Sequence, residues 1–367
     1  MDASLRDVTR ALGEWLDAGR PAVLATVVST DGSAPRGLGA RLAIVGEQEW
    51  IGALSGGCTE TAVLAEAMRL LAAGEPDHAV LVAYAKETLV DVGPVCGATL
   101  GVLVEHVDDV LVGSLERLVD VTAAGDAAWL RVDYAPSEAA SFTAGDAPLA
   151  AGMRVAFERT AVELESCDPA TDEAHHAHVV TFDRAADGVV RLQEHVPPGL
   201  HLVLGGAGDI ARELVELAQR LAWRTTVVDA RPTVLAQLTR MCQPDRVVAG
   251  WSDAVWDELG VDADTACVAL AHESHHDEPF LARALQSDAS YVGAVGSRRV
   301  QAARRDALDA AGIEPALIDR LRGPAGLDLG GSAAAEVALA IAAEITAVTH
   351  ERSGGSLTGT DGPIRAR

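Results

Sequence analysis

Apolar residues recur along this chain at helical and at strand spacing, and the way the two alternate changes near residue 199. In the first part, residues 4–18 carry an amphipathic helical pattern, and residues 22–29 read as a buried strand. Asp31-Gly32-Ser33 marks a turn before a second strand at 41–45. Residues 50–54 read as a short strand, and 59–71 repeat apolar side chains at helical intervals through Ala62, Val63, Ala65, Ala67, Leu70 and Leu71. Two more strand-like runs, 79–83 and 100–105, bracket the breaker-rich stretch Asp91-Val92-Gly93-Pro94-Val95-Cys96-Gly97. These pieces predict an α/β domain over 1–122.

Over 123–198 short β-like runs (129–134, 153–157, 179–182) stand between connectors rich in Ala, Gly, Asp and Pro, which predicts a small antiparallel layer or an elaborated linker. Asp172, Glu173, His175, His176 and His178 crowd one stretch there. Single-loop spacing without helical or hairpin context makes it a solvated loop rather than a metal site. Pro197-Pro198-Gly199 closes the segment. Beyond it strands and helices alternate: 200–204, then 210–222; 225–228; 246–249; 266–271; 279–285; 291–295; 300–311; and a last helix at 334–350. That alternation predicts a doubly wound parallel sheet with helices on both faces over 199–350. The tail, 351–367, has the composition of a disordered segment.

Composition narrows the function. With 367 residues, 49% of them hydrophobic, the chain is long enough for about two domains. No apolar run is long enough to suggest a membrane span. The N-terminus lacks the basic and apolar regions of a signal peptide, so a cytoplasmic location is expected. A formal charge of -25 argues against nucleic acid as a partner. Lys86 is the sole lysine, so anion binding falls to arginines and helix ends. Cys58, Cys96, Cys167, Cys242 and Cys267 are odd in number and widely spaced, which argues for single thiols rather than disulfides or a zinc knuckle.

Ser55-Gly56-Gly57-Cys58-Thr59-Glu60 places a thiol where a glycine turn meets a helix. There Cys58 is either a thiolate favoured by the helix N-terminus or a small buried hydrophobe beside a tight turn. After strand 200–204, Gly206-Ala207-Gly208-Asp209-Ile210-Ala211 forms a G-x-G-x-x-A turn, and Asp229 closes the next strand. In such a turn Gly206 permits the bend, Gly208 admits a phosphate, and Asp229 is a candidate for ribose hydroxyls; retention of the turn for packing alone is the alternative. Gly296-Ser297-Arg298-Arg299 opens another helix, as a phosphate or carboxylate clamp or as an ordinary N-cap with solvated arginines. His272-Glu273-Ser274-His275-His276-Asp277 follows strand 266–271 as a ligand-facing loop, with no second cluster to complete a metal site.

The segments A-T-V-V-S-T-D-G-S-A-P-R, S-G-G-C-T-E, C-G-A-T, G-A-G-D-I-A with V-V-D-A-R-P, Y-V-G-A-V-G-S-R-R and G-L-D-L-G together resemble the XdhC/CoxI family across most of the chain. The resemblance implies an XdhC-type N-terminal α/β domain joined to a Rossmann-like domain. It also implies a maturation factor that binds molybdenum cofactor, supports its sulfuration by a cysteine desulfurase, and delivers it to a molybdenum hydroxylase such as xanthine dehydrogenase. Carried onto this chain, the motifs fall on Ser55, Gly56, Gly57 and Cys58; on Cys96, Gly97 and Ala98; on Gly206 to Ala211; and on Gly296 to Arg299.

Asp209 stands where the family often has His, Ala271-His272-Glu273-Ser274 replaces a T-H-D-H loop, and Gly330-Gly331-Ser332-Ala333-Ala334 replaces G-A-R-T-P. The expected arrangement has the Rossmann turn holding the pterin phosphate and Cys58 and Cys96 meeting molybdenum, a soft metal suited to thiolates, in a homodimer. The rivals are an NAD(P)-dependent oxidoreductase, with Tyr291 or His272 as proton donor, and a scaffold bridging desulfurase and hydroxylase.

Overall fold

A computed structural model of the chain describes residues 5–32, 34, 36–57, 59–74, 78–84, 99–136, 153–167, 178–185 and 189–359. Two compact units, Met1–Pro198 and Gly199–Arg367, each carry their own sheet.

The first unit contains β1 (Val23–Asp31), β2 (Arg41–Gly46), β3 (Glu49–Gly52), β4 (His78–Tyr84), β5 (Thr99–His106), β6 (Ala128–Pro136), β7 (Arg154–Ser166), β8 (Val179–Arg184) and β9 (Val190–Val196). They form one antiparallel sheet in the order β3-β2-β1-β5-β4-β7-β6-β9-β8. Its helices are α1 (Leu5–Asp17), α2 (Glu60–Ala73) and α3 (Asp109–Ala124). Successive strand residues point to opposite faces. Leu24, Leu81 and Leu103 therefore join the core built with Leu12 of α1 and Leu115 of α3, while Val23, Val80 and Val104 pack with Val63, Ala67 and Leu70 of α2. Burial on both faces is why these strands read as unbroken apolar runs.

The stretch 123–198, expected as a small antiparallel layer or an elaborated linker, forms antiparallel strands, but β6 to β9 extend the sheet of the first unit, and the sheet curls until β8 and β9 return to β1 and β2. Two elements here escape the hydrophobic pattern. In β9 the buried positions include Glu194 and His195, which disguise a strand as a polar loop. In α3 the β-branched Val110 and Val112 and the helix-weakening Gly113 argue locally against a helix that its ends nonetheless define. Asp108 accepts from the Leu111 amide at 2.8 Å, and Gly125 closes it in the left-handed region (φ 109).

The second unit contains β10 (His201–Gly205), α4 (Asp209–Arg220), β11 (Arg224–Asp229), α5 (Pro232–Met241), β12 (Arg246–Ala249), β13 (Thr265–Ala269), α6 (Ser274–Leu285), β14 (Tyr291–Ala294), α7 (Arg298–Ala310), α8 (Pro315–Ile318), β15 (Leu321–Arg322) and α9 (Ala334–Thr349). Its sheet is parallel throughout, in the order β12-β11-β10-β13-β14-β15. α4, α5 and α9 cover one face, and α6, α7 and α8 the other. This is the doubly wound, Rossmann-like arrangement, and its order reverses between β10 and β13, where such sheets open a ligand crevice at their carboxyl ends. Residues 351–359 of the tail are exposed, with one 3-10 turn at Leu357–Gly359; 360–367 lie outside the described residues. No helix among the described residues is long and apolar enough to cross a membrane.

Candidate functional site

The glycine turn follows β10 directly. Gly206 holds φ at 116°, and a side chain there would place its Cβ 2.7 Å from the Ala271 nitrogen, so glycine alone lets this turn lie against the loop after β13. Gly208 is the N-cap of α4 and Asp209 its first residue. Both are exposed, and no side chain caps the helix. The first amides of α4 have no intrahelical acceptor, which leaves a positive helix end facing open space.

Asp229, at the carboxyl end of β11, is 2% exposed. Its Oδ2 accepts from the Ala207 amide at 3.0 Å and from Arg231 Nη2 at 2.7 Å, and its Oδ1 accepts from the Arg231 amide at 2.9 Å and Nε at 2.8 Å. Burial raises its pKa, but the Arg231 guanidinium and the surrounding amides outweigh that and hold it below the usual carboxylate range. Its acceptor atoms thus tie the glycine turn to Arg231, whereas the sequence offers it to ribose hydroxyls. Replacing Asp229 with Asn should cost about 1–3 kcal/mol, because one oxygen becomes a donor facing donors. A calorimetric melting point for the second unit unchanged at neutral pH would refute that assignment.

Ser297 is the N-cap of α7, accepting from the Val300 amide at 3.4 Å, while Arg298 and Arg299 are exposed and make no ion pair among the described residues. Beneath them lies a network that the sequence did not reveal. Arg304 Nη2 donates to Asp277 Oδ2 at 2.8 Å, and Asp277 Oδ1 accepts from the Ala271 amide at 3.1 Å. Gln301 Nε2 donates to the Ala294 carbonyl at 3.0 Å. The loops after β13 and β14 are therefore braced from below. His272 sits in the first of them, exposed, with φ 58°. Tyr291, the other sequence-based proton donor, opens β14 at the opposite end of the sheet, and its hydroxyl donates to Glu344 Oε2 at 2.6 Å.

In the first unit, Ser55, Gly56 and Gly57 form the loop before α2. Thr59 is the N-cap, and Glu60 is the first helical residue. Cys58, Cys96 and Gly97 lie outside the described residues. The loop amides close on Glu60. Its Oε1 accepts from the amides of Leu54 at 3.0 Å, Ser55 at 2.8 Å and Gly56 at 3.0 Å. Its Oε2 accepts from the amides of Gly57 at 2.9 Å and Thr59 at 3.2 Å and from Ser55 Oγ at 2.7 Å. Gly57 with φ 119° lets successive N–H groups converge in this way. Burial pushes the carboxyl pKa up, yet the Ser55 amide and hydroxyl and the Leu54 amide bring it to about 2. The positive helix end expected to favour a thiolate or an outside anion thus already holds a carboxylate.

Glu60 received no role from its sequence, although as the first residue of α2 it stands where the positive end of a helix favours a carboxylate. Cys242 and Cys267 are buried with their pKa pushed up, first by that burial, so neither offers a ready thiolate.

A family model described as the XdhC and CoxI family matches residues 15–85, and one described as the XdhC Rossmann domain matches 202–345. A Bacillus subtilis protein, described as a probable xanthine dehydrogenase subunit, is 25% identical, over 91% of this chain and 95% of its own. The "Molybdenum cofactor insertion chaperone PaoD" of Escherichia coli is 23% identical, over 94% of this chain and 88% of its own. A crystal structure described as a xanthine dehydrogenase from Bacillus halodurans shares the fold with a TM-score of 0.68 at 21% identity, covering 96% of this chain and 97% of that one.

Proposed function

The chain belongs to the XdhC and CoxI family, and from that premise we propose that it is a molybdenum-cofactor chaperone. In this reading it protects the cofactor, supports its sulfuration by a cysteine desulfurase, and passes it to the apoenzyme of a molybdenum hydroxylase such as xanthine dehydrogenase. The observation that carries the proposal is the uncapped helix end at Gly208, at the switch point of a parallel sheet. A Cβ built on Gly208 meets no atom within 4 Å, so a bulky phosphate has room beside the first amides of α4. Asp209 places a negative charge at that same helix end, which tempers affinity for an anion. Arg298 and Arg299, exposed and without protein partners among the described residues, supply cationic donors at the entrance of α7, after the second strand along from β10, with Ser297 as its cap. The name of the Escherichia coli relative, which calls it an insertion chaperone for molybdenum cofactor, supports the same reading.

When bound, the cofactor would bring a metal that accepts sulfur ligands, and Cys58 and Cys96 are the thiols we assign to it. Ser55, Gly56, Gly57 and Gly97 flank them as backbone. Asp229 acts through Arg231 and the Ala207 amide, keeping the phosphate turn in shape. The protein is proposed to work as a cytoplasmic homodimer.

Anaerobic incubation with molybdenum cofactor, gel filtration, and assay of co-eluting molybdenum and pterin should give near-stoichiometric binding. Cys58→Ala and Cys96→Ala should each lower retained molybdenum severalfold while leaving the melting temperature in place. Normal retention and delivery by both variants would sink the thiol assignment. In a parallel sample, binding of NAD without pterin would turn the reading to an oxidoreductase, and binding of neither to a scaffold.

A further inference from the structure

Where the loop after β13 enters α6, the structure gathers side chains that serve no part of the reading above. Ligand atoms of Glu273, His275 and His276 all lie within 4.8 Å of one another. Glu273 Oε2 stands 3.1 Å from His275 Nε2. Two ligands bound at about 2.0–2.2 Å to a tetrahedral ion are separated by roughly 3.4 Å, so this pair already has close to the required spacing. The sequence hides the arrangement, because two adjacent histidines on a helix ordinarily diverge.

Here Trp251, from the loop after β12, brings the two rings together. It stacks on His276 at 4.3 Å with 26° between the planes, and it meets His275 at 5.6 Å. On the other side Arg231 Nη1 stands 3.2 Å from Glu273 Oε1, which fixes that carboxylate and leaves its second oxygen to the histidines. Such support from outside the ligand set is what built metal sites have.

Charge also favours a cation. Asp229 and Glu273 share the single guanidinium of Arg231, so the three together carry one net negative charge. The positive end of α6 works against a cation, and Glu273, standing as the N-cap, sets a carboxylate directly at that end. The next carboxylate on α6, Asp277, is paired with Arg304.

We propose that Glu273, His275 and His276 bind one divalent first-row transition ion of the zinc, nickel or cobalt kind at the carboxyl end of β13. Two imidazoles and a carboxylate suit such an ion better than magnesium or calcium, which prefer oxygen alone. Three protein ligands leave at least one coordination position for water or an oxygen of a bound molecule. The Gly206 turn abuts this same loop at Ala271, so an ion here lies on the ligand-binding edge of the second unit.

The test is a titration of the full-length, chelator-treated protein with cobalt(II), read by its visible ligand-field absorption and by equilibrium dialysis. One equivalent per chain is expected. Loss of even an outer-shell partner commonly weakens metal binding by about 10–100-fold, so His275→Ala and His276→Ala should each weaken it at least about tenfold. The His275 side chain is 62% exposed, so its removal leaves the fold intact, as an unchanged melting curve would document. Three results would overturn the proposal: no cobalt bound, wild-type affinity in both histidine variants, or a near-ultraviolet thiolate band that survives in them and disappears in Cys58→Ala or Cys96→Ala.

Discussion

Glu60→Ala is expected to cost the first unit about 3 kcal/mol and to lower its melting temperature by roughly 10 °C, as calorimetry would show. Six donors converge on this one carboxylate. Gly56 and Gly57 are exposed, so water replaces the carboxylate at their amides. Leu54 and Ser55 are buried, so their amides and the Ser55 hydroxyl are left with little access to solvent, at about 1 kcal/mol or more apiece, while the Thr59 amide keeps Ser55 Oγ at 3.0 Å. Glu60→Gln should fall between, since it keeps one acceptor oxygen and turns an amide donor toward donors. The pH dependence follows from the folded pKa of about 2, which lies below the ordinary 4.5. A depressed carboxylate stabilises the fold fully above its unfolded value, and that stability is lost as pH falls toward 2. The gap between wild type and Glu60→Gln should therefore narrow from pH 4.5 downward. If Cys58 works in cofactor transfer, both variants should also lose retained molybdenum, because the loop that carries it would no longer be set. A melting temperature unmoved at neutral pH would show that the loop amides have other partners.

What was legible in the sequence follows from what periodicity and spacing can encode. The second unit was nearly complete. A parallel sheet buried on both faces writes its strands as apolar runs, and β10, expected at 200–204, is found at His201–Gly205, buried throughout. α5 was missed although Pro232 stands at its first turn, and the two-residue β15 is too short to leave a pattern. In the first unit the strands up to β5 were legible, but their pairing with β6 to β9 was not, because nothing local states which strand lies beside which. The glycine turn was legible as a turn. That Asp229 is committed to Arg231 was not, since two residues close in sequence do not say where a guanidinium folds. Glu60 shows the same gap more sharply. Gly56, Gly57 and the helix start mark a position that favours an anion, and the carboxylate that meets the loop amides stands two residues beyond Cys58.

Glu194→Gln should cost the first unit about 3–5 kcal/mol, because it strands a buried cation. Arg41 on β2 and Glu194 on β9 form a two-pronged pair, with Nη1 donating to Oε1 at 3.0 Å and Nη2 to Oε2, and both side chains are almost wholly buried. His178 Nε2 lies 2.8 Å from the same Oε1. Burial pushes the Glu194 pKa up, but Arg41 and His178 outweigh it and hold the carboxyl at about 2. The pair joins strands from opposite parts of the sheet order, so it fixes how the sheet closes. Removing both charges as Arg41→Met with Glu194→Leu should recover most of the loss, since apolar side chains of similar volume avoid the desolvation cost. Arg41→Met alone should be milder at about pH 5 than at pH 8, because Glu194 can then take up a proton in place of its partner. Urea midpoints of the wild type, Arg41→Met, Glu194→Leu and the double variant complete the cycle, and additive losses would mean the pair contributes nothing of its own.

The consequence reaches the cysteine loop through the backbone. The Arg41 carbonyl accepts from the Ala53 amide at 3.0 Å, one residue before the amides that close on Glu60. Loosening Arg41 should therefore quicken hydrogen exchange at Leu54 and Ser55 even where the rest of β2 stays protected, and uniform exchange across both segments would break that link.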